Sequence, residues 1–332
     1  MTAAFIGTAQ GVYHLDGNEL TPLGLAEHRF WAILAWPNGD GQHTILAGSY
    51  EAGIFRSKDS GSTWHAANEG LSAWSIRTLQ HDLMTPGAIL CGTEPARAFS
   101  TTDGGDSWWE YTALKELPTM PEWYLPYSPR AGALRNFYTP PKDTMRVLGA
   151  VEVGGLLSSD NKGGNWEILN TEPDDDIHYV TGHPDHSDLL YAALGWASLT
   201  RDRGPDAPKL GGVGRSDDGG RTWRKFFTDY TRAVIVPPER TDLLLAAPAL
   251  KVGQQGRIDV SSDGGESWQP ASGGLETPMP DMVEIFMPAP NGEICAVCSG
   301  GRLLAAEPGE WQWRSMLPAG ADVHVESVSF IN

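Results

Sequence analysis

Six residues able to do chemistry recur at one position of a repeated pattern. Counting six residues back from the proline, or the equivalent turn residue, that ends each of six strand-like runs gives Trp31, Arg77, Arg135, His178, Arg232 and Glu284. If each run is the strand of a ring that faces its axis, these side chains converge on a common space. Three guanidinium forks converging there match a carboxylate or phosphate bidentately. The competing reading is that the arginines pair with channel carboxylates such as Glu284 and Glu326 and fill a wet core. Tyr50, Glu51, Glu94 and Glu152 fall in loops that would share the same rim. Carboxylates placed there can act as general acid and base, or hold a divalent cation, and can equally be a solvated acidic rim. The candidate catalytic set is Glu284, His178 and Glu152, and the candidate ligand contacts are Arg77, Arg135, Arg232, Trp31, Tyr50, Glu51 and Glu94. No resident cofactor is called for.

What positions these residues is a second repeat. Ser57 to Trp64 (SKDSGSTW) returns as Thr101 to Trp108, Ser216 to Trp223 and Ser261 to Trp268, and as Ser158 to Trp166 with one inserted residue. The acidic residue, Asp59, Asp103, Asp160, Asp218 or Asp263, can turn its carboxylate onto backbone N–H groups, and the glycines supply the positive φ of a tight hairpin. These aspartates are therefore read as structural. Around them lies a unit of roughly 40 to 55 residues with four strand-like runs, which is a propeller blade.

The pattern resembles the Asp-box, or BNR, repeat of sialidases, xyloglucan-degrading glycosidases, sortilin-like receptors and photosystem II assembly-factor propellers. That resemblance implies a β-propeller and little about function, because those families include hydrolases, receptors and assembly factors. The Phe/Tyr-Arg-Ile-Pro motif that begins the sialidase arginine triad is not found, and His28-Arg29-Phe30 does not match it.

The expected fold is all-β: one closed propeller over residues 1–332, with seven four-stranded blades and six as the alternative. Blade boundaries fall near 29, 75, 134, 176, 230 and 280. Residues 4–20 read as a blade without its first strand, and residues 323–331 as a lone first strand that completes it and closes the ring. Two insertions, 111–133 and 195–212, belong on the channel rim. Their Trp123, Tyr124, Tyr127 and Trp196 offer flat faces for a sugar or aromatic ligand, a lip for a protein partner, or packing for the loops themselves.

Composition narrows the partners. With 24 Lys and Arg against 42 Asp and Glu, the formal charge is −18. A nucleic-acid backbone or an anionic membrane is repelled by such a field. Residues 1–15 lack a basic start and a long apolar run, and three cysteines cannot all pair, so the expected location is the cytoplasm. Cys295 and Cys298 lie in the strand-like run EICAVC, where residues three apart face opposite sides. The expected function is binding of a small polar or anionic molecule or a sugar at the channel mouth, with glycosidase-like hydrolysis as its enzymatic form. The alternative is a non-catalytic binding or assembly propeller that presents rim loops to a protein.

Overall fold

The computed structural model describes residues 3–83, 85–127, 132–141, 143, 145–169, 174–199, 206–207 and 209–331. It consists of seven antiparallel sheets around a central channel, six of four strands and one of five. Outside the strands, the described segments contain two short 3-10 turns, Thr112–Glu116 and Met120–Glu122, both in the first insertion.

Blade one takes its innermost strand, Val325–Ile331, from the far end of the chain and pairs it antiparallel with Ala3–Thr8. The inner strands of blades two to seven are Phe30–Pro37, Ser75–His81, Ala133–Tyr138, Ile177–His183, Tyr230–Ile235 and Val283–Pro288. The stretch between Ala289 and Trp313, where the turn repeat does not return, carries two strands of a complete sheet, Ile294–Cys298 and Leu303–Ala306, so the ring has seven blades and not six.

Packing lies between neighbouring blades. Ala32, Leu46 and Ile54 of blade two meet Ile76, Ile89, Cys91 and Phe99 of blade three in one buried cluster. Near-continuous apolar second strands such as Ile89–Glu94 and Val147–Glu152, buried along their whole length, fit between two sheets. All three cysteines are free and buried. Cys298 packs with the cluster shared by blades six and seven and Cys295 with Ala289 and Ala305, so their side chains part as strand alternation requires. Burial pushes the Cys295 thiol up to about 12.

The recurring turns are stapled as their residue types demand. Asp59 accepts hydrogen bonds from the Ser57 hydroxyl at 2.7 Å and from the Thr63 hydroxyl and N–H at 2.6 and 2.8 Å, and Gly61 N–H donates to Ser57 Oγ at 2.8 Å. Asp103, Asp218 and Asp263 repeat the arrangement. The Thr63 and Ser57 donors hold the Asp59 carboxyl down at about 2. Gly61 sits at φ 91°, where a side chain is strained.

Blade four corrects the register read from sequence. There Ser159 and Asn161 occupy the Ser and Asp positions: the Ser159 hydroxyl donates to Asn161 Oδ1 at 3.0 Å, Asn165 N–H donates to the same oxygen at 2.8 Å, and Gly163 N–H donates to Ser159 Oγ at 2.7 Å. No residue is inserted. Asp160 points outward, 3.6 Å from Arg146, because an amide oxygen accepts the N–H bonds of this turn as well as a carboxylate does.

Four of the five tryptophans that end the turns do one of two jobs. Trp223 and Trp268 donate to the carbonyls of Gly220 and Gly265 in their own turns. Trp64 and Trp108 instead reach the carbonyls of Leu23 and Ala67 in the preceding blade, as does Trp313 with Ala271.

Candidate functional site at the channel mouth

One irregularity recurs in all seven blades. Pairing between the inner and second strand slips by one residue at the start of each inner strand: between Phe30 and Ala32, Ile76 and Thr78, Leu134 and Asn136, Ile177 and Tyr179, Thr231 and Val234, and Val283 and Ile285. In blade one the slip falls between Ser327 and Val325. Such a β-bulge leaves one residue unpaired, or two in blade six, where Ala233 accompanies Arg232, and re-aims a side chain. The residues set free are Trp31, Arg77, Arg135, His178, Arg232, Glu284 and Glu326, and all seven line one cavity of about 350 Å3.

Arg232 is tied to Glu284, its Nη1 lying 2.7 Å from both carboxylate oxygens. Arg135 donates to Glu152 Oε2 at 2.6 Å and lies 3.7 Å from Glu284. Arg77 lies 3.1 Å from Glu94 and 3.6 Å from Glu152, with its guanidinium 3.9 Å above the Trp31 ring. Arg29 pairs with Glu326, and His324 stands 3.4 Å from the same carboxylate. The charges are thus paired, and the arrangement is layered. Arg29, Arg77, Arg135 and Arg232 face the cavity with Glu284 and Glu326, whereas Glu94 and Glu152 are buried and outside its lining. In a chain of net charge −18, the wall of this cavity carries more cations than anions.

The two cavity carboxylates are pushed in opposite directions. Burial raises Glu326 above the usual carboxylate range, and the charge of Arg29 only partly offsets it. At Glu284 burial also raises, but Arg232 and Arg135 outweigh it and hold the group low. Glu152 is likewise held low, since Arg135, His178 and Arg77 together overcome its burial. Burial lowers the Arg77 pKa, and Arg135 adds to the effect.

His178 is fully buried, with Nε2 3.1 Å from the Tyr230 hydroxyl and 3.3 Å from Asp176 Oδ1. Tyr230 also accepts from Arg232 Nε at 2.9 Å, and burial raises its phenol pKa. Tyr127, from the first insertion, lays its hydroxyl between Arg77 at 2.6 Å and Glu152 at 3.0 Å while its ring stays exposed. Burial lifts that phenol to about 12.

The remaining sequence candidates separate. Tyr50 is exposed and packs against Trp31, centroids 4.4 Å apart. Glu51 is exposed and outside the cavity lining. Trp123 is a correction: it is 3% exposed and packs with Ala96, Leu134 and Val151, so its face is spent on holding the insertion down and is not offered to a ligand. Tyr124 is half-buried and donates to the Ser198 carbonyl at 2.9 Å, joining the two insertions. Trp196 keeps 40% of its surface exposed, its indole N–H anchored on the Thr228 carbonyl and its ring 5.3 Å from Tyr230.

Sequence reasoning missed Arg29, Asp176 and Tyr230 as site residues. Each lies two residues before a ring residue, Trp31, His178 and Arg232. The two-residue alternation of a strand, applied once more upstream, is the signal that finds them.

No protein-family model and no curated protein sequence matches the chain. Solved structures do. A GH74 xyloglucanase from Xanthomonas campestris superposes with TM-score 0.70 at 18% identity over 94% of this chain and 52% of its own. An ancestral GH74 enzyme gives 0.62 at 13% identity, over 99% and 40%. YCF48 bound to D1 peptide gives 0.56 at 14% identity, over 90% and 91%. The likeness is one of fold. The chain spans about half the length, or less, of these GH74 chains.

Proposed function

We propose that this propeller binds a small organic anion, with a carboxylate or a like oxyanion as its recognised group, at the mouth of its central channel. The observation that carries the reading is the layering: four arginines and two glutamates face the cavity, and Glu94 and Glu152 stand behind the arginines. Carboxylates placed so hold the guanidiniums in position and leave their remaining N–H donors for a ligand. Trp31 under Arg77, and the exposed faces of Tyr127 and Trp196, suit the flat or ring-shaped remainder of such a molecule. On its turn chemistry we place the chain among the Asp-box propellers, and its free buried thiols suit a reducing compartment.

A second reading, hydrolysis, is favoured by one observation. Glu326, raised, and Glu284, held low, face one cavity from adjacent inner strands, as a general acid and its ionised partner do. Three GH74 structures among the fold neighbours agree with that reading without carrying it.

A thermal-shift screen of malate, citrate, glucuronate and the uncharged sugar glucose tests the choice. Stabilisation by the acids and not by glucose, lost in 0.5 M NaCl, is the expected result. Stabilisation by glucose alone rejects the anion reading.

A further inference from the structure

We infer that Glu152, Asp176 and His178 form a binding site for one divalent transition-metal ion in the wall of the channel mouth, between blades four and five. This inference is independent of the anion reading, since it concerns the protein alone.

Each of the three offers a ligand atom, and these atoms lie within 4.8 Å of one another. Glu152 ends the second strand of blade four, Asp176 immediately precedes the inner strand of blade five, and His178 is that strand's second residue. All three are at least nine-tenths buried. Two polar atoms of these residues are orphans. Among the described residues, Asp176 Oδ1 and His178 Nδ1 are buried without a hydrogen-bond partner, and Oδ1 is turned toward the imidazole, 3.3 Å from Nε2. Buried polar atoms are nearly always satisfied, so a pair of them in one cluster asks for an ion or a water.

The partners already present are compatible with an ion. The other oxygen of Asp176, Oδ2, accepts from Ala197 N–H at 2.9 Å, which fixes the carboxylate and leaves Oδ1 directed inward. Arg135, Tyr127 and Arg77 all approach Glu152 on Oε2. The Tyr230 hydroxyl beside His178 Nε2 supplies the outer hydrogen bond that orients a metal-bound imidazole when the ion is on Nδ1. Around the cluster stand three guanidiniums, Arg77, Arg135 and Arg232, against four carboxylates, Glu94, Glu152, Asp176 and Glu284. With a neutral imidazole the surplus is negative, as a dication needs. One imidazole with two carboxylates selects zinc or manganese over calcium and magnesium, which take oxygen ligands. Of the three, His178 lies on the cavity lining.

The test is calorimetric titration of tag-free, chelator-stripped protein with Zn2+ and with Mn2+, repeated on Asp176→Asn and His178→Gln. One ion per chain is expected with roughly micromolar affinity, weakened about 100-fold or more in each variant, since each loses a direct ligand. Circular dichroism establishes that the variants fold. If they do not, anomalous scattering from wild-type crystals soaked in Mn2+ locates the ion, and a peak among Glu152, Asp176 and His178 sustains the site. No wild-type binding tighter than millimolar, unchanged binding in folded variants, or a peak elsewhere overturns it.

Discussion

Removing residues 323–332 deletes the inner strand of blade one and should open the ring. Val325 and Val328 on that strand are 1% and 3% exposed. Burying each contributes about 1.5–3 kcal/mol, so the two together contribute roughly 3–6 kcal/mol. The strand also satisfies two groups of blade two, with Ser329 Oγ accepting from Ala35 N–H at 2.9 Å and the Ser327 hydroxyl donating to the Phe30 carbonyl at 3.1 Å. Losing a partner in a buried setting costs about 1–3 kcal/mol for each group. The combined loss, roughly 5–12 kcal/mol, rivals the whole stability of an ordinary domain. Thermal melts by circular dichroism should therefore show a fall of at least about 10 °C or no cooperative transition, and a synthetic peptide of residues 323–332 should recover part of it. A truncated protein that melts within 2–3 °C of the intact chain refutes the closure argument.

Three further outcomes follow from the same geometry. Asp59 and Asp218 are both held at about 2 by the hydroxyl and N–H of Thr63 and Thr222. A depressed carboxyl contributes stability that is present above its unfolded value near 4 and is lost as pH falls toward 2. Asp59→Asn should flatten that acid limb in urea melts between pH 4 and 2, and an unchanged limb argues against the staple. Gly195→Ala should disturb the site without unfolding the ring, because the added methyl meets Asp176 Oδ2 and His178 Nε2. A fluorescence titration with citrate in which this variant equals the wild type removes blade five from the site. Trp123→Leu should lower the melting temperature and leave citrate affinity unchanged, since Trp123 packs in the core. Weakened citrate binding at unchanged stability reverses that assignment.

The blade count and the ring of inward residues were legible because both rest on spacing, the turn repeat for one and the distance to the inner-strand proline for the other. Arg77, Arg135 and Arg232 could be placed by counting, but the bulge that frees them is a backbone event with no residue signature of its own. Asp160 misled because an acidic residue beside Asn161 invites the wrong register, and only the hydrogen bonds decide that the amide takes the staple. Trp123 misled for a different reason. An aromatic in an insertion reads as a rim platform, and its burial depends on Leu134 and Val151, contacts that no local pattern announces. Glu94 and Glu152 were read as rim carboxylates. They instead end two second strands, Ile89–Glu94 and Val147–Glu152, that are buried along their whole length, and the arginines they pair with come from other strands.

The measurement that bears most directly on the central claim is calorimetric titration of citrate into the wild type and into Arg77→Lys, Arg135→Lys and Arg232→Lys, with a melt recorded for each. Lysine keeps the charge and loses the fork. Affinity should fall by about 1–3 kcal/mol, roughly 5- to 150-fold, in each variant while the melting temperature moves little. If the variants melt far lower yet the folded fraction binds citrate as the wild type does, the arginines are only partners for Glu94, Glu152 and Glu284, and the claim that they receive an anion is contradicted.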